Sequence, residues 1–156
     1  MYPHERSLVQ RMTNRPFALI GINSDPPAKA QDALERESIT WRSFSNGGST
    51  RGPISQAWGV NAWPTLYVLD HEGVIRYKNV RGEAMDKAAD ELVELAIQAV
   101  VENVKSSDPA VRSLAAFRLG RYGVPDAVAA LSPLLDDSDA VVQQRQGQAA
   151  ARAETR

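Results

Sequence analysis

Residues 59–70 have the sequence GVNAWPTLYVLD, and this stretch decides the fold assignment. The apolar run over residues 65–69 is typical of a strand, and a turn over residues 70–73 leads into residues 74–80, which alternate between two faces. This pattern predicts a β-hairpin. Pro64 directly precedes the first strand, and a cis X-Pro bond costs only about 0.5–1 kcal/mol, so this position is compatible with a cis peptide bond.

Helices and strands alternate on both sides of the hairpin. The apolar run over residues 17–22 predicts a strand buried on both faces of a parallel sheet. Pro27 opens a predicted helix, which Asp25 or Ser24 could help to cap. The last predicted helix has an apolar stripe wider than one contact needs, so we expect it to pack on two elements. The predicted helices cover 7–12, 27–37, 53–58 and 83–104, and the other predicted strands cover 17–22 and 39–44.

The composition changes after residue 106. Residues 107–112 are echoed by residues 138–143, which predicts one helical repeat and the start of another. Two helical patterns, over 111–119 and 127–135, lie between these segments. The remaining residues 143–156 are polar and rich in Gln, Ala and Arg, and we expect this tail to fray.

Composition and charge exclude several classes of function. The chain has no cysteine, so it has no disulfide and no thiolate metal site. His4 and His71 alone are too few for a structural zinc site, so no metal is predicted, and no cofactor is implied. A net charge of -1 with scattered basic residues argues against nucleic-acid binding. The sequence shows neither a signal peptide nor a membrane span, so the chain as written is cytoplasmic by default, although its compartment stays open.

The order of these elements resembles the thioredoxin-like superfamily, in particular the redoxin branch of extracytoplasmic thiol-disulfide oxidoreductases. The residues that carry the resemblance are the stretch 59–70, Gly73-Val74-Ile75-Arg76 and Arg81-Gly82-Glu83. The resemblance implies an α/β fold with a central sheet flanked by helices. It also places Pro64 as a cis proline beside the family's active-site cysteine pair, and Trp63, Pro64 and Thr65 beside a groove that binds substrate peptide. For this motif taken alone, the alternative is a rigid start to the strand.

The sequence departs from this family at the catalytic residues. Relatives carry a Trp-Cys-x-x-Cys segment between a strand and the first helix, and Met1-Tyr2-Pro3 falls where that helix has already begun. We therefore expect an incomplete thioredoxin-like fold that lacks its N-terminal strand, with no catalytic residue of its own. Because that strand is interior in the family, the strands over 17–22 and 65–69 should either pair directly or leave edges prone to association.

Residues 107–142 resemble short HEAT-like repeats through Asp108-Pro109, Val111-Arg112, Ala115-Ala116 and Leu119-Gly120. The resemblance implies that an Arg and an Asp pair between neighbouring repeats, and that small alanines permit close helix stacking. We expect the inner face of the repeat to dock on the helix that ends near Val104. The predicted organisation is a thioredoxin-like domain over 1–104, an all-α HEAT-like segment over 105–142 and a polar tail over 143–156.

Other candidate sites have simpler explanations. The segment 47–50 is rich in glycine but has no following lysine, so it predicts a flexible loop rather than a phosphate cradle. His4 lies near the expected active-site helix, yet a solvated histidine is the commoner case. The acidic residues at 136, 137 and 139 are typical of a helix cap rather than a calcium loop. No Ser-His-carboxylate constellation is recognisable.

Two functional hypotheses stay open at this point. The chain is either a redoxin-type domain, whose family exchanges thiols and disulfides or reduces peroxides but which is inactive by itself here, or a non-catalytic scaffold. A scaffold would bind a protein or peptide at the Trp63 and Pro64 groove or on the HEAT-like face.

Overall fold

The computed structural model describes residues 2–122 and 127–154. The helices are α1 (Tyr2–Arg11), α2 (Pro27–Arg36), α3 (Pro53–Ala57), α4 (Glu83–Asn103), α5 (Pro109–Arg121), α6 (Ala127–Leu131) and α7 (Ala140–Glu154), with a 3-10 helix over Ser132–Leu134. The strands are β1 (Ile20–Asn23), β2 (Arg42–Ser45), β3 (Tyr67–Leu69) and β4 (Ile75–Lys78). The predicted hairpin, α2 and α3 are confirmed within one or two residues at each end.

The strands form two separate two-stranded sheets. β1 pairs with β2 in parallel, with Ile22 opposite Phe44, and β3 pairs with β4. β1 and β3, the strands that would flank the family's interior strand, therefore do not pair with each other. The expectation that they pair directly is wrong. Each strand is hydrogen-bonded to a neighbouring strand along one edge only, because no strand in the described ranges pairs with both β1 and β3.

Two compact units make up the chain, and their division falls inside α4, between Asp86 and Lys87. The domain boundary after residue 104 stays a prediction. The first unit comprises Met1–Thr13, Phe17–Val68 and Ile75–Asp86, and the second comprises Asn14–Pro16, Leu69–Val74 and Lys87–Arg156.

β1 is less buried than its sequence predicts. Ile20 and Ile22 are 57% and 44% exposed, and Phe44 on the neighbouring strand is 52% exposed. The prediction of a strand buried on both faces is therefore wrong. An apolar sequence is compatible with a strand covered on both faces, but it does not provide the elements that cover it. In this two-stranded sheet the side chains of Ile20, Ile22 and Phe44 remain partly exposed. The predicted cap of α2 is also absent, since Pro26 holds the N-cap position without a side-chain bond.

The second unit is built around an apolar core shared by several helices. Val100 and Val104, at the end of α4, pack in one cluster with buried residues of α5, α6 and α7. This confirms that the HEAT-like segment docks on the helix ending near Val104. The other members of the cluster are Ala115, Ala116, Leu119, Leu131, Leu134, Val142 and Ala149.

α5 and α7 lie side by side in the same direction. The first turns of both helices line one groove, and a Cβ at Gly120 would lie 2.6 Å from the Cα of Ala149. They are therefore the equivalent helices of two adjoining repeats, as the spacing of residues 107–112 and 138–143 predicts. The expected frayed tail from residue 143 instead forms most of α7, because Val142, Gln146 and Ala149 are buried. Residues 123–126, in the predicted inter-helix loop, and 155–156 lie outside the described residues.

Candidate functional site

The loop over residues 59–65 presents the residues that the sequence singled out. It leaves α3 through Gly59, whose φ of 59° favours glycine, and the amide of Val60 donates to the carbonyl of Ser55. The Trp63–Pro64 peptide bond is cis. Trp63 is 47% exposed, and it makes no hydrogen bond or ring contact with a described residue. The loop therefore offers an apolar ring and a peptide unit to solvent.

Bonds from two residues that follow β4, and one bond within the loop, fix the end of this loop. Arg81 donates from Nη2 to the carbonyl of Pro64 at 2.8 Å, and Thr65 donates from Oγ1 to the carbonyl of Ala62 at 2.7 Å. Asn79 accepts from the amide of Leu66 at 3.1 Å and donates its own amide to the Leu66 carbonyl at 2.8 Å. The main chain on the C-terminal side of Pro64 is thereby held in one position.

An aromatic pair joins the residues on either side of the same loop. Trp58 and Tyr67 lie with ring centroids 5.4 Å apart, tilted by 56°, and the Tyr67 hydroxyl donates to the carbonyl of Trp58 at 2.7 Å. The Lys78 ammonium lies 5.1 Å from the centroid of the Tyr67 ring. These contacts tie the end of α3 to β3 and β4, on either side of the loop.

Asn46 is a buried hub that sequence reasoning missed. Its side chain accepts from the amides of Ile54 and Ser55 at 3.0 and 3.1 Å, and its Nδ2 lies within bonding distance of Ser24 Oγ, the Ser49 carbonyl and Ser55 Oγ. Asn46 has 0% exposure. The loop that the sequence predicted to be flexible is thus fixed at its base. The only local signal was an asparagine between a strand and two glycines, and all its partners except Ser49 are 8 to 22 residues away.

Gly52 shows how tightly this loop closes on Asn46. A Cβ at Gly52 would lie 1.6 Å from the Asn46 carbonyl oxygen, so no other residue fits without moving the backbone. Gly52 is also the N-cap of α3, with Pro53 in the first turn. The close approach therefore sets where the short helix ahead of the Trp63 loop begins.

α1 carries two ionisable residues near its start. His4 bonds from Nε2 to Oδ2 of Asp86 at 3.0 Å and is about one-third exposed, so it is paired rather than simply solvated. Glu5 is 6% exposed, and its Oε2 has no hydrogen-bond partner. In the described residues no three His, Cys, Asp or Glu side chains gather as a metal site would require.

The helical unit is held by a charged pair between repeats. Arg112, in the first turn of α5, bonds to Asp137 through both Nε and Nη2, at 2.7 and 2.8 Å. Hydrogen bonding from Arg112, and then from the amide of Asp139, holds the pKa of the Asp137 carboxyl below its usual value. Asp139 accepts from the amide of Val141, which confirms the predicted helix cap at α7, and Asp108 caps α5 in the same way through the amide of Ala110.

Comparison with known proteins supports both halves of this description. A solved structure matches 60% of this chain with 22% identity and a TM-score of 0.57: the C-terminal domain of a protein named as a thiol-disulfide oxidoreductase from Bacteroides thetaiotaomicron. The fold is thioredoxin-like. The match covers 65% of that domain, so this chain spans slightly less than two thirds of it.

The family model for HEAT repeats matches residues 77–151, and no curated protein matches the chain. The chain therefore combines an incomplete thioredoxin-like fold with a HEAT-like helical region. The HEAT match takes in α4, which the sequence assigned wholly to the thioredoxin-like domain. Among the described helices, none is long and apolar enough to span a bilayer.

Proposed function

We propose that this chain carries a redoxin-type thioredoxin-like domain that binds polypeptide but does not exchange thiols by itself. The observation that carries the proposal is the loop in which Trp63 and Pro64 are exposed, with Thr65 partly buried, on a thioredoxin-like fold in a sequence with no cysteine. Thiol-disulfide exchange begins with attack by a thiolate on a disulfide sulfur, and a chain without cysteine supplies no thiolate. The same argument applies to peroxide reduction through a cysteine.

The loop retains what is needed to bind an extended peptide. Trp63 offers an exposed ring, and its main-chain amide and carbonyl make no hydrogen bond within the described residues. Arg81 already occupies the carbonyl of Pro64, so a bound peptide would pair with Trp63 rather than with the residue after it. An ordered loop loses less conformational entropy on binding than a mobile one.

An insulin-reduction assay tests the absence of exchange. With dithiothreitol and the full chain, we expect insulin to precipitate at the rate given by dithiothreitol alone. A hydrogen-peroxide consumption assay should likewise show no rate above background. Turnover of either substrate by the purified chain would refute this part of the proposal.

A second proposal is that the chain acts as a scaffold through its helical unit. The HEAT match over residues 77–151 and the docking of α5 to α7 on the end of α4 favour it. HEAT-type arrays present extended surfaces built from equivalent helices. A partner that binds the full chain equally well after Trp63→Ala, but not after substitutions on α5 and α7, would support the scaffold.

A further inference from the structure

A groove of about 570 Å³ opens between the first turns of α5 and α7. We call it the α5–α7 groove. Leu114 and Val141 in its walls are 46% and 56% exposed. The remaining lining residues are Asp108, Pro109, Ala110, Ser113, Asp139 and Arg145.

The walls of the groove are formed by residues that occupy equivalent positions in the two repeats. Ala110 and Leu114 on α5 correspond to Val141 and Arg145 on α7, because the repeat offset that aligns Asp108 with Asp139 aligns these pairs too. Residues four apart on a helix lie on one face. The two repeats thus turn the same face outward, and of these four positions only the one at Arg145, which stands where the first repeat has leucine, is polar.

The charges at the two ends of the groove differ in sign. Asp108 and Asp139 each use Oδ1 to cap their own helix, and Oδ2 of each has no hydrogen bond to a described residue. Arg145 lies with its Cζ 5.2 Å from the centroid of the Phe117 ring and forms no ion pair with a described carboxylate. Arg145 comes six positions after Asp139, which is about 9 Å along the helix axis.

We propose that the α5–α7 groove binds an amphipathic helix of a partner protein. The bound helix carries a basic residue toward Asp108 and Asp139, apolar residues on Leu114 and Val141, and an acidic residue toward Arg145. Its charges are therefore six or seven positions apart, with the apolar residues between them on the same face. This inference rests on the scaffold proposal and names its surface and the chemistry of its partner.

Two synthetic helical peptides test the inference against the full chain. The bipolar peptide is an alanine-based 18-mer with two leucines between a lysine and a glutamate seven positions apart, and the basic peptide has lysine at both charged positions. Binding is followed through amide chemical shifts. We expect the bipolar peptide to bind more tightly and to shift the signals of residues 108–114 and 139–145. One exposed charge pair is worth up to about 1 kcal/mol, or about fivefold in dissociation constant.

Charge reversal in the groove should reverse the preference. Arg145→Glu makes the groove acidic at both ends, so it should bind the basic peptide more tightly than the bipolar one. Arg51→Glu is the control, because Arg51 is exposed in the first unit, does not line the groove, and changes the net charge equally. Leu114→Ser should weaken both peptides.

An unchanged preference in Arg145→Glu, or a reversal in Arg51→Glu as well, overturns the inference. Shifts confined to residues 61–66 would overturn the α5–α7 groove while leaving the peptide-binding proposal for Trp63 in place. If neither peptide binds but a partner protein still needs α5 and α7, the stated chemistry of the partner is rejected and the scaffold proposal stands. If neither peptide binds and no partner needs α5 and α7, the scaffold proposal is rejected as well.

Discussion

Arg112 and Asp137 form a two-point ion pair that fastens the first turn of α5 to the turn before α7. The two side chains are only 13% and 6% exposed. Arg112 also donates from Nη1 to the carbonyls of Ser106 and Ser107, at 2.9 and 3.1 Å. One guanidinium therefore joins the segment before α5 to the start of the next repeat, and this arrangement matches the Arg and Asp pairing that the HEAT resemblance implies.

Replacing Asp137 should destabilise the helical unit. Asp137→Asn leaves a charged guanidinium largely buried without its counter-ion, which is worse than removing both partners. We expect a lower thermal midpoint by circular dichroism than for Asp136→Asn, the adjacent exposed aspartate. Arg112→Lys should also lower the midpoint, because an ammonium lacks the planar fork of N–H donors that makes two parallel bonds to one carboxylate. Equal midpoints for the two asparagine variants would show that the pair does not stabilise the fold.

Acid should remove the contribution of this pair. The pKa of Asp137 is lower in the folded protein than its ordinary value, so the unfolded chain takes up the proton first as pH falls. The stabilisation is complete above the ordinary aspartate pKa of about 3.9 and is lost as pH falls through the lower folded value. Urea unfolding at several values of pH should show a smaller acid loss in Asp137→Asn than in the original protein. Identical acid profiles would contradict the assignment.

Two glycines on the helical unit should respond in opposite directions to alanine. A Cβ at Gly120 would lie 2.6 Å from Ala149 backbone, whereas nothing lies within 4 Å of one at Gly147. Gly120→Ala should cost about 1–3 kcal/mol of unfolding free energy through overpacking. Gly147→Ala should gain about 0.5–1 kcal/mol, because alanine favours an open helical position. Urea denaturation measures both, and a gain at Gly120 would contradict the close packing of α5 on α7.

The Asn46 hub should be essential to the first unit. Asn46→Ala leaves the amides of Ile54 and Ser55 without their acceptor, at about 1–3 kcal/mol for each buried group. Asn61→Ala is the control, since Asn61 is exposed and forms no bond to a described residue. Amide hydrogen exchange of residues 53–57 should accelerate in Asn46→Ala alone. Equal exchange rates in the two variants would show that Asn46 does not hold α3.

Local chemistry explains what could be predicted. The alternation around the turn at residues 70–73 predicted the hairpin, and the acidic residues before α7 predicted its cap, which Asp139 forms. These features depend on residues close in sequence. The sequence of α7 also contains a helical pattern, because Val142, Gln146 and Ala149 recur at helical spacing and are buried. The polar composition of this segment led instead to the prediction of a frayed tail.

Contacts between distant segments explain what could not be predicted. The exposure of Ile20 and Ile22 depends on whether another element covers β1, and an apolar run does not encode that. Asn46 acquires its importance only when Ser24 and Ser55 come beside it. At the candidate site, the residues Trp63, Pro64 and Thr65 followed from the motif, whereas their support from Arg81 and Asn79 required the fold.

Chemical-shift mapping with a thiol-free extended peptide tests the central proposal most directly. Carboxymethylated insulin B chain, titrated into the full chain, should shift the amide signals of residues 61–66, and Trp63→Ala should abolish those shifts. Leu135→Ala, an exposed apolar residue on the other unit, should leave them unchanged. Saturating peptide that leaves residues 61–66 unshifted, or shifts that persist in Trp63→Ala, would contradict a polypeptide-binding role for this loop.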